Sequence, residues 1–538
     1  MMARVGVALT VGLLPLSIYV LRLNGVAGMM VDDGWYVMLA RMLARGEGYW
    51  LISSPFDHIL PLYPPGLPAL LSIGFRLSPE FPANVWLLKS LSVAAMLGVS
   101  WLSYVYLHRD REWPRAIAAC AASAIATTPA LVFLATSTLM TECVFTFAVL
   151  SSVLVVQRAV NAPTPDRALR LAAFAAVLAA SAMLIRSAGV AVVVASGLFL
   201  LKERRWQCAA CFAVVVAVCL LPWTAYTRTH APTPAQQDAH RGSIVYGYTD
   251  QLWMRWAGAP ISGTITPRDL PARVATNAFD IAGRSVAGIF VPTIFRGSAE
   301  SGEEVVALGG VVSFMSASMG SATGTAMISL AISALLVAGF IAKARERITV
   351  AEILTPIALT IVLLWPFWTF RFVLPLTPFL MTYLLAGLQV VAARVSPAAG
   401  AQRALPVLRI ALLSILGLHV YDHAAYLLAA RDAGSIDWIA DAEDADRTLA
   451  WVRTHLPRDA IVASTNPALV YLQTGLRSVT LDHVTSNWSH WRQRGVRYLV
   501  CLLPLDVPST PVAGEHRVVF RSARRFWVVE IDPKHFSN

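Results

Sequence analysis

The chain of 538 residues is 57% hydrophobic and only 14% charged, with a mean hydropathy of +0.60. Charged residues make up about a quarter of a soluble globular domain. This composition therefore excludes a soluble enzyme and indicates a polytopic α-helical membrane protein. The formal net charge of +11 points either to an acidic partner or to membrane topology, and its distribution along the chain decides between them.

Apolar runs long enough to cross about 30 Å of hydrocarbon recur along the sequence. We count eleven, and the two runs on either side of Arg186 are short. No small-residue cleavage pattern follows the first run, so we expect a retained anchor rather than a signal peptide. The predicted spans are 5–21, 84–107, 116–134, 141–157, 169–185, 187–201, 207–226, 323–342, 350–368, 372–393 and 406–429.

The positive charge lies in alternate connections between the predicted spans. Residues 1–4 and five loops hold 16 Lys and Arg against 5 Asp and Glu, which accounts for the whole net charge. Lys and Arg accumulate on the cytoplasmic side of membrane proteins, so the N-terminus is predicted to lie inside. Segments 22–83, 227–322 and 430–538 are then outside, which suits a bacterial cytoplasmic membrane. The basicity therefore gives no indication of a nucleic-acid partner.

Two external segments have a non-membrane composition. Residues 227–322 form a long connection rich in Gly, Pro, Ser and Thr, too long for a passive loop. Residues 431–538 alternate helix-like and strand-like stretches and end in a hairpin, which predicts a small α/β domain with parallel strands and an antiparallel edge. This domain has no Gly-rich phosphate loop and no nucleophile elbow. We therefore expect residues 1–430 to be catalytic and the C-terminal domain to be a gating or structural module.

Two adjacent carboxylates stand between the first predicted span and a predicted helix, in VDDGWYVMLARMLARGEGYW, residues 31–50. The helix has the pattern of a segment lying in the membrane interface, and Gly46 and Gly48 end it. An Asp before a helix is usually its N-cap, but a helix has one N-cap, so either Asp32 or Asp33 needs another explanation. A carboxylate held at the membrane surface suits a general base for an acceptor hydroxyl.

Several stretches carry a family resemblance. DDGWYVMLARMLARGEGY is followed by LYPPGLPALLSIGFRL, and further along come STLMTECVFTF, LIRSAGV and FRFVLPLTPFL. Their order and their common external placement resemble the GT-C superfamily of glycosyltransferases, which use polyprenyl-phosphate sugars. That family includes protein O-mannosyltransferases and lipid A aminoarabinose transferases. The resemblance covers about residues 5–395 and implies a GT-C-like membrane domain, for which the apolar runs predict about 11 helices.

The resemblance also implies roles for individual residues. Asp32 becomes the catalytic base and Asp33 its partner, while Glu142 orders the site. The implied reaction is an inverting transfer of a hexose or pentose, in which the base deprotonates the attacking hydroxyl and cations stabilise the departing phosphate. Arg371 and Arg186 lie at predicted external helix ends, where a guanidinium can bind phosphate through two N–H groups. Snorkelling or topology is the alternative explanation for each arginine.

One position departs from the family pattern. Members similar to the aminoarabinose transferases have a basic residue before the Pro-Pro pair, where this chain has Tyr63. His58 could supply the missing charge, and the alternative is an ordinary surface histidine.

A second ionisable cluster lies inside the last predicted span. HVYDH places His419 and His423 one helical turn apart with Asp422 between them, and ionisable groups within a membrane are candidates for function. Two His and one Asp could bind a divalent metal, but no third or fourth ligand stands out. We therefore predict hydrogen bonds between helices and no metal site, and no cofactor is called for.

The rival functions are a transporter or lipid-linked sugar flippase, and a non-catalytic assembly subunit. A transporter concentrates polar residues near the bilayer midplane on broken helices. Here the charged candidates, apart from the last span, gather at external helix ends, which favours a transferase. Its expected partners are a polyprenyl-phosphate sugar donor, membrane lipids, and an acceptor that is a lipid, a glycan or a protein.

Overall fold

The computed structural model describes residues 2–531. Within this range it leaves out 57, 241, 259, 293–321, 396–399, 433, 482–490, 492, 503–515 and 524–525. Within these residues the chain is predominantly helical, with one sheet near the C-terminus. The predicted class, a polytopic α-helical membrane protein with a small C-terminal α/β region, is confirmed. The part of segment 227–322 beyond residue 292 lies almost entirely outside the described residues.

Eleven helices make up the N-terminal part of the chain, and α1 and α2 are joined by a π-helical turn. Helices α6 and α7 meet at an angle of 50°, because Pro129 at the start of α7 has no N–H to continue the ladder. The helices are α1 Met2–Ala8, α2 Leu14–Arg22, α3 Asp32–Arg45, α4 Gly66–Leu77, α5 Val85–Val105, α6 Arg115–Ala126, α7 Pro129–Thr136, α8 Glu142–Val160, α9 Pro165–Ile185, α10 Val190–Lys202 and α11 Trp206–Thr229.

The rest of the chain begins with short helices in the predicted external connection and then returns to long apolar helices. The helices of this part are α12 Pro234–His240, α13 Tyr248–Trp253, α14 Leu270–Asp280, α15 Val286–Phe290, α16 Ala322–Glu346, α17 Val350–Leu364, α18 Phe370–Val373, α19 Thr377–Val395, α20 Gly400–Ala429, α21 Asp437–His455 and α22 Pro467–Thr474.

Every predicted apolar run is helical, but the runs differ in length. Eight helices of the described chain are long and apolar enough to cross a membrane, and the bent pair α6 and α7 brings the number to nine. Two predicted spans correspond to shorter apolar helices, Ser187–Lys202 and Val350–Leu364. The eleven-span count therefore stays a prediction, which depends on whether these two short helices cross the bilayer.

Helix α3, which is predicted to lie in the membrane interface, is largely covered by protein. Trp35, Tyr36 and Leu39 are almost fully buried, and the helix packs against α4 and α22. Its apolar side is therefore covered by α4 and by α22 of the C-terminal domain. The predicted end is confirmed, because Gly46 adopts the left-handed conformation at the C-cap.

The C-terminal sheet has five strands in the order β2-β1-β3-β5-β4. Strand β1 pairs in parallel with β2 and β3, while β5 pairs antiparallel with β3 and β4. The sequence pattern predicted both the parallel strands and the antiparallel edge. The strands are β1 Ile461–Ser464, β2 Ser478–Thr480, β3 Val496–Cys501, β4 His516–Arg521 and β5 Trp527–Ile531.

Sidedness can be tested with reporter fusions after residues 110, 204 and 440. The positive-inside pattern predicts that residues 110 and 204 lie inside and residue 440 outside. Activity of a reporter that works only outside the membrane, compared with one that works only inside, measures each position. An external residue 204 would show that Ser187–Lys202 does not cross the bilayer, and the same side for residues 110 and 440 would reject the eleven-span topology.

Candidate active site

A cavity of about 900 Å³ lies between the membrane helices, the 227–292 connection and the C-terminal sheet. Its walls are mostly apolar and aromatic. The charged side chains that line it, among the described residues, are Asp32, Arg186, Arg371 and Asp441. Three of these four come from the motifs that indicated a glycosyltransferase, so the cavity is the candidate active site.

Asp33 is fully buried and holds the turn that precedes α3. Its two carboxylate oxygens accept hydrogen bonds from the N–H groups of Gly28 and Met30, both at 2.9 Å. Burial raises the pKa of Asp33 to about 6, and the two N–H donors oppose this rise. The side chain thus stabilises the local backbone and does not line the cavity.

The expected N-cap role of an aspartate is wrong. Val31 occupies the N-cap position with φ of 63°, and no side chain caps the helix. A positive φ is unfavourable for a β-branched residue, so the turn needs support from its surroundings. Asp33 supplies that support by bonding backward to the turn instead of forward to the first N–H groups of α3.

Asp32, unlike its neighbour, faces the cavity. About a third of its side chain, 32%, is exposed. The hydroxyl of Tyr63 donates to Asp32 Oδ1 at 2.6 Å, and Arg371 Nη2 lies 3.4 Å from Asp32 Oδ2. The two adjacent carboxylates therefore have different environments, because Asp32 faces the cavity and Asp33 is surrounded by protein.

Glu142 is fully buried and joins two arginines from distant parts of the chain. Its Oε1 lies 2.7 Å from Arg186 Nη1 and 3.0 Å from Arg371 Nε. A buried carboxylate requires such partners, since an unpaired charge in the interior is costly. Glu142 also begins α8, where the positive end of the helix dipole favours an anion. Glu142 thereby fixes both guanidinium groups at the cavity wall.

Local structure explains how each arginine reaches this carboxylate. Arg186 lies in the break between α9 and α10, and Thr141 Oγ1 accepts a weak bond from its Nη1 at 3.4 Å. Arg371 lies on the short helix α18, and Thr369, which precedes this helix, donates to Asp280 of the external connection. The ring of Phe372 lies 4.5 Å below the Arg186 guanidinium. Each arginine is therefore held at the end of an apolar helix.

Tyr63 is bonded to Asp32, whereas His58 lies at the protein surface. Burial, together with the charge of Asp32, raises the pKa of Tyr63 well above its ordinary value, so the hydroxyl stays a donor to Asp32. His58 is exposed and lies against Trp50, with ring centroids 5.4 Å apart. His58 therefore does not supply the charge that the family pattern has before the Pro-Pro pair, and it is a surface histidine.

The HVYDH cluster makes hydrogen bonds between helices, as predicted. His419 Nε2 lies 3.1 Å from the carbonyl of Ile289, and His423 Nε2 lies 2.9 Å from the carbonyl of Thr127. Within the described residues no group of three or more His, Cys, Asp or Glu side chains could hold a metal ion. Glu142, which is buried behind the cavity wall, is engaged by two arginines, and these partners do not suit a bound cation.

Sequence analysis missed a buried lysine beneath the site. Lys89 is fully buried in α5, and its Nζ donates to the carbonyls of Asn24 and Thr136, both at 2.8 Å. These bonds tie α5 and α7 to the start of the first external loop. An ionisable residue within a predicted span is a recognisable signal, so Lys89 could have been identified.

Asn466 was also missed, and it connects the C-terminal domain to the aspartate turn. Its Nδ2 donates to the carbonyl of Gly28 at 2.5 Å, while its Oδ1 caps α22 by accepting from Leu469 N–H at 3.2 Å. A Cβ placed on Gly34 would lie 3.3 Å from Ala468, so α22 packs closely on the first turn of α3. The sequence shows the cap signal of Asn466 but not its contact with Gly28.

Known proteins resemble this chain in structure and not in sequence. No protein-family model and no curated sequence matches it. ArnT from Cupriavidus metallidurans, solved bound to undecaprenyl phosphate, matches with a TM-score of 0.56 and 14% identity over 97% of both chains. The archaeal oligosaccharyltransferase AglB from Archaeoglobus fulgidus, in complex with an inhibitory peptide and dolichol-phosphate, matches with a TM-score of 0.55 and 13% identity. That match covers 91% of this chain and 69% of AglB.

Both of these structures are GT-C superfamily glycosyltransferases. At these identities the similarity concerns the fold, and it extends over nearly the whole chain. The protein therefore has the GT-C fold, as its sequence motifs indicated, and it is a multi-pass integral membrane protein.

The link between Asn466 and Gly28 can be tested by hydrogen exchange. Asn466→Ser keeps an N-cap oxygen but removes the amide that reaches Gly28. A hydrogen bond contributes about 1 kcal/mol, so we expect the amides of residues 26–31 to exchange about fivefold faster, with little change in Tm. Mass spectrometry of peptides from this turn measures the rate.

The matched control is Gln473→Ala on the same helix. Gln473 donates to Asp446 at 2.7 Å on the protein surface and has no bond to the turn. Exchange at residues 26–31 should stay unchanged in this variant. Equal exchange in wild type and Asn466→Ser would show that the C-terminal domain does not support the turn.

Proposed function

We propose that the protein is a membrane glycosyltransferase that moves a sugar from polyprenyl phosphate to an acceptor hydroxyl on the outer side of a bacterial cytoplasmic membrane. The observation that carries this proposal is the arrangement of Asp32 and Arg371, 3.4 Å apart on the wall of one cavity. A base and a phosphate-binding cation are the two groups that the reaction requires. Undecaprenyl phosphate and dolichol-phosphate in structures of the same fold agree with such a donor.

Asp32 is the proposed general base. It lines the cavity and is partly exposed, whereas Asp33 is fully buried and holds two backbone N–H groups. A base must come within hydrogen-bond reach of the proton that it accepts, which Asp33 cannot do without breaking the turn. The difference in burial thus favours Asp32 over Asp33 as the base, a choice that the sequence left open.

The two arginines are proposed to bind the donor phosphate. A guanidinium has five N–H donors, and Arg371 uses its Nε and Nη2 on Glu142 and Asp32. N–H groups beyond these are available to phosphate oxygens at the cavity wall, which both arginines line. The contact of Arg371 with Asp32 is the longest of the three ion pairs in this cluster, so an incoming phosphate would most readily replace it. That exchange would free Asp32 to accept a proton.

The reaction follows from these positions. The acceptor oxygen attacks the anomeric carbon and loses its proton to Asp32, while the bond from that carbon to the phosphate oxygen breaks. The electron pair leaves with polyprenyl phosphate, whose added negative charge Arg371 and Arg186 stabilise. A single displacement of this kind inverts the anomeric configuration. The transferred sugar is a hexose or a pentose.

The aromatic part of the cavity suits the lipid portion of the donor. Trp256, Phe367, Trp368 and Phe372 line the wall near Arg371, and the rings of Trp256 and Phe367 are stacked 5.0 Å apart. A polyprenyl chain is apolar, so it gains from leaving water at such a wall. The arrangement of cations beside aromatic rings therefore fits a lipid phosphate better than a soluble sugar nucleotide.

The proposal predicts a specific loss of turnover in Asp32→Asn. The amide keeps the size of the side chain but cannot accept a proton at neutral pH. We expect release of polyprenyl phosphate to fall by roughly 10² to 10⁴, with Tm nearly unchanged. A panel of polyprenyl-phosphate hexoses and pentoses, turned over by the purified protein with an envelope extract as acceptor source, provides the assay.

Asp33→Asn is the matched comparison for this measurement. An amide can accept only one of the two N–H bonds that Asp33 accepts, so one buried donor loses its partner at a cost of about 1–3 kcal/mol. The variant should therefore lose stability and keep more turnover than Asp32→Asn. Full activity in Asp32→Asn would remove Asp32 as the base, and activity lost only in Asp33→Asn would exchange the two roles.

Arg371→Lys tests the phosphate contact. Lysine keeps the charge but lacks the planar fork that can hold Glu142 and a phosphate together. Hydrogen bonds to charged groups contribute about 1.5–3 kcal/mol, so we expect the KM for the donor to rise about tenfold to a hundredfold. Arg45→Lys, at a half-exposed arginine of α3, is the control. A KM unchanged in Arg371→Lys and in Arg371→Ala would place the phosphate elsewhere.

A further inference from the structure

Helix α14, in the connection between α11 and α16, turns its polar side toward the protein. Arg273 donates through Nη1 and Nη2 to the carbonyls of Leu252 and Met254. Asn277 Nδ2 donates to carbonyls at the end of α17, including that of Leu363 at 2.9 Å, which the end of a helix leaves without intrahelical partners. A helix on the surface of a soluble domain has the reverse arrangement, with its apolar side inward.

The outward side of α14 is apolar and carries no charge. Phe279 is 80% exposed, and Ala272, Ala275 and Ala278 are exposed beside it. The hydroxyl of Thr276, which is also exposed, donates to the carbonyl of Ala272 at 3.0 Å, so this polar group already has a partner within the helix. Such a surface suits lipid, where polar groups must be satisfied by the protein itself.

A contact with α16 gives the depth of this helix relative to the membrane. Ser333 of α16 donates to the carbonyl of Ala282, just beyond α14, at 2.6 Å. The candidate membrane span of α16 begins at Ala326, on the predicted external side, and seven residues of helix from there to Ser333 rise about 10 Å. That distance is less than half of the hydrocarbon thickness of about 30 Å. Phe279, one helical turn before Ala282, therefore lies at the level of the outer leaflet.

The apolar side of α14 is continuous with a surface that meets lipid. Helix α16 packs against the π-helical turn Ile281–Ser285 that follows α14. Only 17% of the candidate span in α16 is buried, and Met327 and Leu330, near its external end, are exposed. Since both helices are exposed at the same depth, acyl chains that cover α16 also reach α14.

We propose that α14 is an interfacial helix whose apolar side contacts the acyl chains of the outer leaflet. Asp280, its last residue, accepts a hydrogen bond from Thr369, which precedes the helix of Arg371. An interfacial α14 therefore holds Arg371 close to the level of the lipid head groups, where the phosphate of a lipid lies. A partner protein and bulk water are the competing neighbours of this surface.

Quenching by brominated lipids tests the position of α14 without donor or acceptor. A fluorescent amino acid is placed at position 279 of the full-length protein, in vesicles of phosphatidylcholine brominated either near the head group or near the chain end. Because Phe279 is exposed, the replacement leaves the core unchanged. We expect the strongest loss of fluorescence with bromine near the head group, at a depth of about 5–10 Å, as for other interfacial helices.

Two further positions are the matched controls. Phe174, 55% exposed at the middle of α9, should be quenched most by bromine near the chain end. Val518, exposed on β4, should be reached by iodide in the water and not by brominated lipid.

Three results at position 279 would overturn the interfacial helix. Quenching by iodide and not by lipid, as at Val518, would place α14 in water. Protection from both quenchers would show that protein covers it, and the depth profile of Phe174 would place it in the bilayer centre. Because the readout needs no turnover, failure of the proposed function would leave this measurement unaffected.

Discussion

The buried carboxylate of Glu142 is the group around which the site is built. A charge removed from water must be compensated within the protein, and breaking a buried ion pair costs about 3–5 kcal/mol. Glu142 meets this requirement with Arg186 and Arg371, which are brought from a helix break and a short helix in other parts of the chain. Arg371 in turn contacts Asp32. One electrostatic requirement thus fixes the relative positions of four segments that have no sequence proximity.

Much of the architecture could be predicted from local sequence, because burial in lipid or protein leaves a periodic or continuous apolar pattern. The apolar runs are helices, the parallel strands with an antiparallel edge are present, and Gly46 ends α3 as its conformational freedom suggests. The resemblance of short motifs also singled out Asp32, Glu142, Arg186 and Arg371, which the structure brings together.

The predictions that were wrong depend on contacts between residues that are distant in the chain. Asp33 stands where an N-cap is expected, but its carboxylate accepts hydrogen bonds from N–H groups of the turn that precedes it. His58 is a residue type that could carry the expected positive charge, but it lies at the surface against Trp50. Asn466 contacts a backbone carbonyl 438 positions away, and no local pattern indicates such a contact.

The bond from Asn466 to Gly28 also has a consequence for biosynthesis. A chain is made from its N-terminus, so the aspartate turn is synthesised while most of the protein has yet to be translated. Asn466 and α22 come near the end of the sequence and reach the turn only after the last membrane helix, α20, is in place. Val31, with its unfavourable positive φ, is therefore supported from the C-terminal side only in the finished protein. Completion of the turn that carries Asp32 is thereby delayed until synthesis of the chain is nearly complete.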